Sequence, residues 1–240
     1  MPMSRRLSLG RWLDIPVFLD SSWFVILALV AWTLATGYFP LRLPGVGQTT
    51  YWGMGVAAAV LLFCCVLLHE LGHAVVAKAY GIPVSRVTLF IFGGVAHIAR
   101  EPRRPWVELV VALAGPLVSV VIAAGCFWAA TALPPEIGRI GPIIVRYLAV
   151  VNTAIVVFNL LPGFPLDGGR LLRAALWAWS GDLRRATRIA GMLGHGLGVA
   201  LMGLGLLSLL RGQWINGVWY VLLGMFLRNA ARVSVGEAVG

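Results

Sequence analysis

Residues 67–76 read LLHELGHAVV, and within them His69-Glu70-Leu71-Gly72-His73 sets two imidazoles and a carboxylate inside five positions. On a helix, positions i and i+4 share a face, so both imidazoles can reach a single ion. Glu70 is rotated by about 100° from them and can contact a water on that ion instead of the ion itself. Zinc suits such a donor set, because it takes imidazole nitrogen and carboxylate oxygen tetrahedrally and leaves one position for water. The pKa of a water held in this way falls to about 7. Glu70 can then take its proton and deliver it to a leaving amine. The chemistry these residues could do is metal-assisted hydrolysis of a peptide bond.

The surroundings raise the weight of the pattern. His69, Glu70 and His73 lie in an apolar stretch that begins near Met54, where ionisable groups are costly and need partners. A trio of polar residues held only by helix packing is the weaker reading. A catalytic zinc usually has three protein ligands, and the candidates for the third are His97, Glu101, Glu108, Asp167 and His195. Glu101 and Glu108 flank the basic loop REPRRPW, where solvated ion pairs are expected. His97 and His195 fit hydrogen-bonded or packing roles better, and Asp167 stands in a segment rich in proline and glycine.

Composition identifies the solvent. Of 240 residues 60% are hydrophobic and 12% charged, with a mean hydropathy of +0.89, whereas soluble domains carry about 25% charged residues. The expected fold class is therefore an all-α polytopic membrane protein in a lipid bilayer, with a small β-hairpin on its cytoplasmic side. Six spans are expected, at about 21–39, 54–79, 107–133, 143–161, 189–210 and 214–229. The last two are separated by Arg211, Gly212 and Gln213 alone, a tight helical hairpin. Residues 1–20 read as an interfacial lead-in to a retained first helix. Asp14 and Asp20 interrupt any signal-peptide pattern, and no A-x-A-like site closes it.

The net charge of +10 does not imply nucleic acid, because the 19 basic residues gather between the apolar segments. With a cytoplasmic N-terminus, fifteen of them fall on inner segments and four on outer ones. That asymmetry predicts a multi-pass protein of the cell membrane with both termini and the active site toward the cytoplasm. Cys64, Cys65 and Cys126 lie in apolar runs without metal-site spacing and read as buried hydrophobes.

Two inner segments are more than connectors. Residues 84–99, VSRVTLFIFGGVAHIA, are a β-branched and aromatic run, the Gly93-Gly94 pair and a second run, which predicts a membrane-associated β-hairpin turning at the glycines. Residues 159–170, NLLPGFPLDGGR, cannot continue a helix through their two prolines and three glycines before Arg170. Irregular backbone at membrane depth is tolerated where protein or a water-filled cavity covers it.

HELGH in a second transmembrane helix, the FGG hairpin after it, and N-L-L-P-G-F-P-L-D-G-G at 159–169 together resemble the site-2 protease family of intramembrane zinc metalloproteases. The resemblance covers residues 10–230. It implies one Zn2+ per chain on His69, His73 and Asp167, with Glu70 as the catalytic acid and base. Asn159, in the position of the family's N-x-x-P-x-x-x-x-D-G, would hold substrate backbone or stabilise the oxyanion, and Gly93 and Gly94 would contact substrate. The implied activity is cleavage within or near a transmembrane segment of a membrane-bound protein, with residues 1–240 as a single protease domain. Oligomeric state stays open, a homo-oligomer included. Many members add PDZ or CBS domains. No soluble insertion here is long enough for a PDZ domain, and the last ten residues, ARVSVGEAVG, resemble the lead-in to a CBS pair.

Two other functions use the same ligands. A membrane metal transporter or metal sensor would need ionisable residues along a path across several helices, and no polar trail runs toward the outer face. A proteolytically silent binder of transmembrane segments would be expected to lack the glutamate or a ligand, and the set here is complete.

Overall fold

The computed structural model describes residues 6–132 and 138–239. It divides into two compact units, Met1–Glu101 with Ala114–Val156, and Pro102–Leu113 with Val157–Gly240.

The first unit opens with two strands, β1 (Arg6–Trp12) and β2 (Ile15–Asp20), where the sequence predicts an interfacial lead-in. Residues 1–5 of that lead-in lie outside the described residues. The connection is Leu13-Asp14, both at positive φ (51° and 62°), the backbone of a two-residue hairpin turn. Neither residue is a glycine or asparagine, so the usual turn signal is missing. β2 alternates strictly, with Ile15, Val17 and Leu19 buried and the residues between them half-exposed. Because every residue from Ile15 to Leu19 is apolar, that period of two is hidden in the sequence.

Helix α1 (Ser22–Thr33) passes through a π-helical turn (Leu34–Tyr38) into the short α2 (Phe39–Arg42). Helix α3 (Gln48–Ala79) starts six residues before the expected boundary, since its polar first turn, Gln48 to Thr50, carries no hydropathy signal. Strands β3 (Val84–Phe90) and β4 (Gly93–Ile98) form the expected hairpin. That hairpin belongs to a four-stranded sheet ordered β1-β2-β3-β4, with β2 and β3 parallel and the two outer pairs antiparallel. The inner faces of β2 and β3 pack on α3: Ile15, Val17, Leu19, Val87 and Leu89 form one core with Leu67, Leu71 and Ala74. Leu71 lies inside the HELGH pattern, so the sheet is seated on the stretch of α3 that carries the candidate ligands. Helices α4 (Pro105–Ala132) and α5 (Ile140–Asn159) follow; residue 133, the expected end of the third span, lies outside the described residues.

In the second unit the chain leaves α5 at Asn159 and starts a new helix at Asp167, so the irregular stretch is residues 160–166. This helix, α6 (Asp167–Ser180), is absent from the sequence reading because its opening Gly168-Gly169 pair resembles a breaker. Helix α7 (Leu183–Leu210) begins at a capping Asp182 whose carboxylate accepts the Arg185 N–H at 2.9 Å. Helix α8 (Trp214–Val239) lies against it. Small residues bring the two together: a Cβ at Gly205 would meet Val221 Cγ2 at 2.7 Å and the Gly217 carbonyl at 2.8 Å.

Among the described residues, five helical segments are long and apolar enough to cross a membrane: Ser22–Arg42, Gln48–Ala79, Pro105–Ala132, Ile140–Asn159 and Leu183–Leu210. The sixth expected span lies on α8, where Asn216, Arg228, Asn229 and Arg232 dilute the apolar residues. Gly205→Val should cost about 1–3 kcal/mol by overpacking α7 on α8, read as a lower unfolding midpoint in detergent. An unchanged midpoint would show that this approach is not tight.

Candidate metal centre

The long register of α3 brings His69 and His73 to one face, one turn apart, at 3% and 4% exposure. Their rings meet edge to face at 77°, with centroids 5.0 Å apart. The two Nε2 atoms are 3.3 Å apart. Two nitrogens on one tetrahedral zinc, each about 2.0–2.1 Å from it, must stand roughly 3.3–3.4 Å from each other. The pair fits one ion. The other ring nitrogen of His69, Nδ1, is 2.9 Å from the hydroxyl of Ser119, which is fully buried on α4. With Nε2 bare for a ligand role, Nδ1–H donates to Ser119 Oγ.

Gly115, one turn before Ser119 on the same helix, comes closer still. A Cβ there would collide with His73 Nε2 and lie 2.7 Å from His69 Nε2. The point where the two nitrogens converge is thus bounded by bare backbone of α4. Sequence reasoning passed over both residues. The available signal was a glycine and a serine at i and i+4 in an otherwise apolar helix.

Glu70 turns to the sheet. Its Oε2 accepts the Ala96 backbone N–H of β4 at 3.1 Å. A Cβ on Gly94 would collide with Glu70 Cγ. This changes the reading of the glycine pair. Phe90 pairs with Gly93, so the hairpin turns at Ile91-Phe92. Gly93 takes the first strand position at φ +130°, and Gly94 is needed for the close approach of Glu70.

Asp167 is the first residue of α6. The preceding loop is folded onto its own unit: Phe164 donates its N–H to the Ala190 carbonyl at 3.1 Å, and Leu166 to the Gly163 carbonyl at 3.1 Å. Gly194 of α7 lets this loop in, since a Cβ there would overlap the Phe164 carbonyl. His69 and His73 belong to the first unit and Asp167 to the second.

The remaining candidates stand elsewhere. His97 is on β4, where burial, with the Arg86 and Arg6 charges, pushes its imidazole below the ordinary value. Glu101 is exposed, His195 is half-buried on α7, and Asn159 is the half-buried last residue of α5. Glu108 is a correction: at 2% exposure it is no solvated loop carboxylate, and its Oε1 accepts from Arg173 Nε at 2.6 Å. Arg173 in turn lies over the Phe164 ring, 5.2 Å from its centroid. The basic loop around Glu108 concealed a partner 65 residues away.

Residues 57–143 and 136–203 match the family model described as Peptidase family M50. The chain belongs to this family. A relative from Synechocystis sp., provisionally named a zinc metalloprotease, is 39% identical over 236 residues, which is 98% of this chain and 61% of that protein. Rip3 of Mycobacterium tuberculosis, also provisionally named a zinc metalloprotease, is 40% identical over 96% of this chain and 58% of its own length. This M50 chain thus spans about three-fifths of the length of the curated relatives it matches. Its structure resembles that of the site-2 protease from Methanocaldococcus jannaschii, with a TM-score of 0.68, 28% identity, and coverage of 96% of this chain and 95% of that one.

The buried ion pair gives a test in the second unit. Arg173→Met, which strands Glu108, should lower the unfolding midpoint by the equivalent of about 3–5 kcal/mol. The double variant Glu108→Leu/Arg173→Met should recover part of that loss. Equal midpoints for single and double variants would contradict a buried pair.

Proposed function

We propose that residues 1–240 act as a single transmembrane protease domain, a zinc-dependent intramembrane endopeptidase. The carrying observation is the pair of buried imidazoles whose Nε2 atoms stand 3.3 Å apart, with the Glu70 carboxylate next to the first of them in sequence. The family match and the zinc-metalloprotease names of the relatives support the same reading.

His69, His73 and Asp167 are assigned as ligands of one Zn2+ per chain, which when bound supplies an acidified water and polarises the scissile carbonyl. Glu70 accepts a proton from the attacking water and returns it to the leaving nitrogen. Asn159 is assigned to the substrate backbone or the developing oxyanion.

The substrate class is a transmembrane segment of another membrane protein, cleaved within or near the bilayer. A helical segment has its peptide groups satisfied internally, so the scissile region must unwind and find new partners. Strand β4 stands last in the sheet order. Its Ala96 N–H points to Glu70 and so away from β3. An extended substrate pairing along that edge, past Gly93 and Gly94, would run beside the catalytic carboxylate. Six spans, cytoplasmic termini and a site toward the cytoplasm complete the proposal, supported by fifteen basic residues on the inner segments against four on the outer. Metal transport is less favoured, since the sequence has no polar trail across the helices toward the outer face.

Purified chain in proteoliposomes with a transmembrane reporter tests these roles. Glu70→Gln should lower cleavage by about 10²–10⁴-fold with zinc content unchanged, and Asp167→Ala should lose zinc. An active Glu70→Gln variant contradicts the mechanism, and full zinc in Asp167→Ala removes the third ligand.

A further inference from the structure

The metal reading assigns no task to α4, yet Ser119 lies 2.9 Å from His69 Nδ1 and a Cβ at Gly115 would meet both Nε2 atoms. Both follow from one periodicity. Gly115 and Ser119 are four apart, so they present to the same face of α3, and Ser119 has no exposure at all. A serine hydroxyl in an apolar helix ordinarily returns to the carbonyl four residues earlier. Thr153, Thr187 and Ser208 do so here. Ser119 meets His69 Nδ1 instead, at 2.9 Å.

We infer that α4 supplies the orienting half of the metal centre. Ser119 is a positioning residue that holds the His69 ring through Nδ1, and Gly115 leaves room at the helix wall for the two Nε2 atoms. The inference rests on the proposed ligand roles of His69 and His73. An imidazole free in water carries its proton on either nitrogen, and only the tautomer with Nδ1–H leaves Nε2 bare for a ligand role. Ser119 Oγ holds the ring in either tautomer, and once Nε2 is on an ion it can only accept from Nδ1–H. The same hydrogen bond fixes the ring plane. Gly115 works by exclusion of bulk: any side chain at this position would begin against the Nε2 atoms of His69 and His73.

Two measurements on the full-length chain in detergent test this. The first is zinc affinity by competition with a chromophoric chelator. Ser119→Ala should bind zinc about 10–100-fold more weakly, while Ser119→Thr, which keeps the hydroxyl, should return toward wild type. The second is nitrogen-15 NMR of the metal-free, histidine-labelled chain, tractable because there are only four histidines. His69 Nδ1 should show a hydrogen-bonded nitrogen-15 shift in wild type and lose it in Ser119→Ala. Unchanged affinity and an unchanged Nδ1 shift in Ser119→Ala would overturn the role of Ser119. Gly115→Ala should still fold, with a somewhat lower metal-free unfolding midpoint because its Cβ presses on His73 Nε2, and lose zinc binding. Zinc retained, or a lost fold in place of lost zinc, would overturn the role of Gly115. Wild type that binds no zinc would overturn the ligand assignment itself, and the Nδ1 shift would still stand apart from it.

Discussion

The structure depends on one constraint: three ionisable groups in the middle of an apolar helix must each find a partner. An unpaired polar or charged group in such a setting costs several kcal/mol, roughly the net stability that many domains possess. Each member of the HELGH trio meets that constraint differently. His69 has Ser119 on one nitrogen and His73 facing the other. Glu70 has the Ala96 amide. The two Nε2 atoms stand 3.3 Å apart, a spacing that a shared cation stabilises.

The sheet follows from that constraint. Glu70 needs a donor, the donor is a strand amide, and a strand can stand beside α3 only if the sheet has its own core there. Ile15, Val17, Leu19, Val87 and Leu89 supply it against Leu67, Leu71 and Ala74. The same seating leaves β4 at the end of the strand order, with its Ala96 amide engaged by a side chain and not by another strand. In the second unit, a buried pair of charges does the comparable work. Arg173 and Glu108 satisfy each other, and Arg173 covers Phe164 in the loop that leads into Asp167.

Much of this was legible in the sequence where local rules suffice. The i, i+4 imidazoles, the break after Asn159 and the hairpin at 84–99 are patterns of neighbouring residues, and the structure contains each of them. What escaped the reading is relational. β2 is apolar at every position from Ile15 to Leu19, so its alternation appears only once α3 covers one face. Gly94 resembles a turn residue until Glu70 is seen against it. Ser119 and Glu108 look ordinary because their partners lie 50 and 65 residues away. The length of α8 was underestimated for a simpler reason: hydropathy ends near Leu227, but helical backbone does not.

X-ray absorption at the zinc edge of the purified chain tests the central claim most directly. The account predicts a four-coordinate shell of nitrogen and oxygen at about 2.0–2.1 Å, with the outer-sphere scattering of two imidazoles. A sulfur shell at about 2.3 Å, which would implicate Cys64, Cys65 or Cys126, or a zinc site without imidazole scattering, would contradict it.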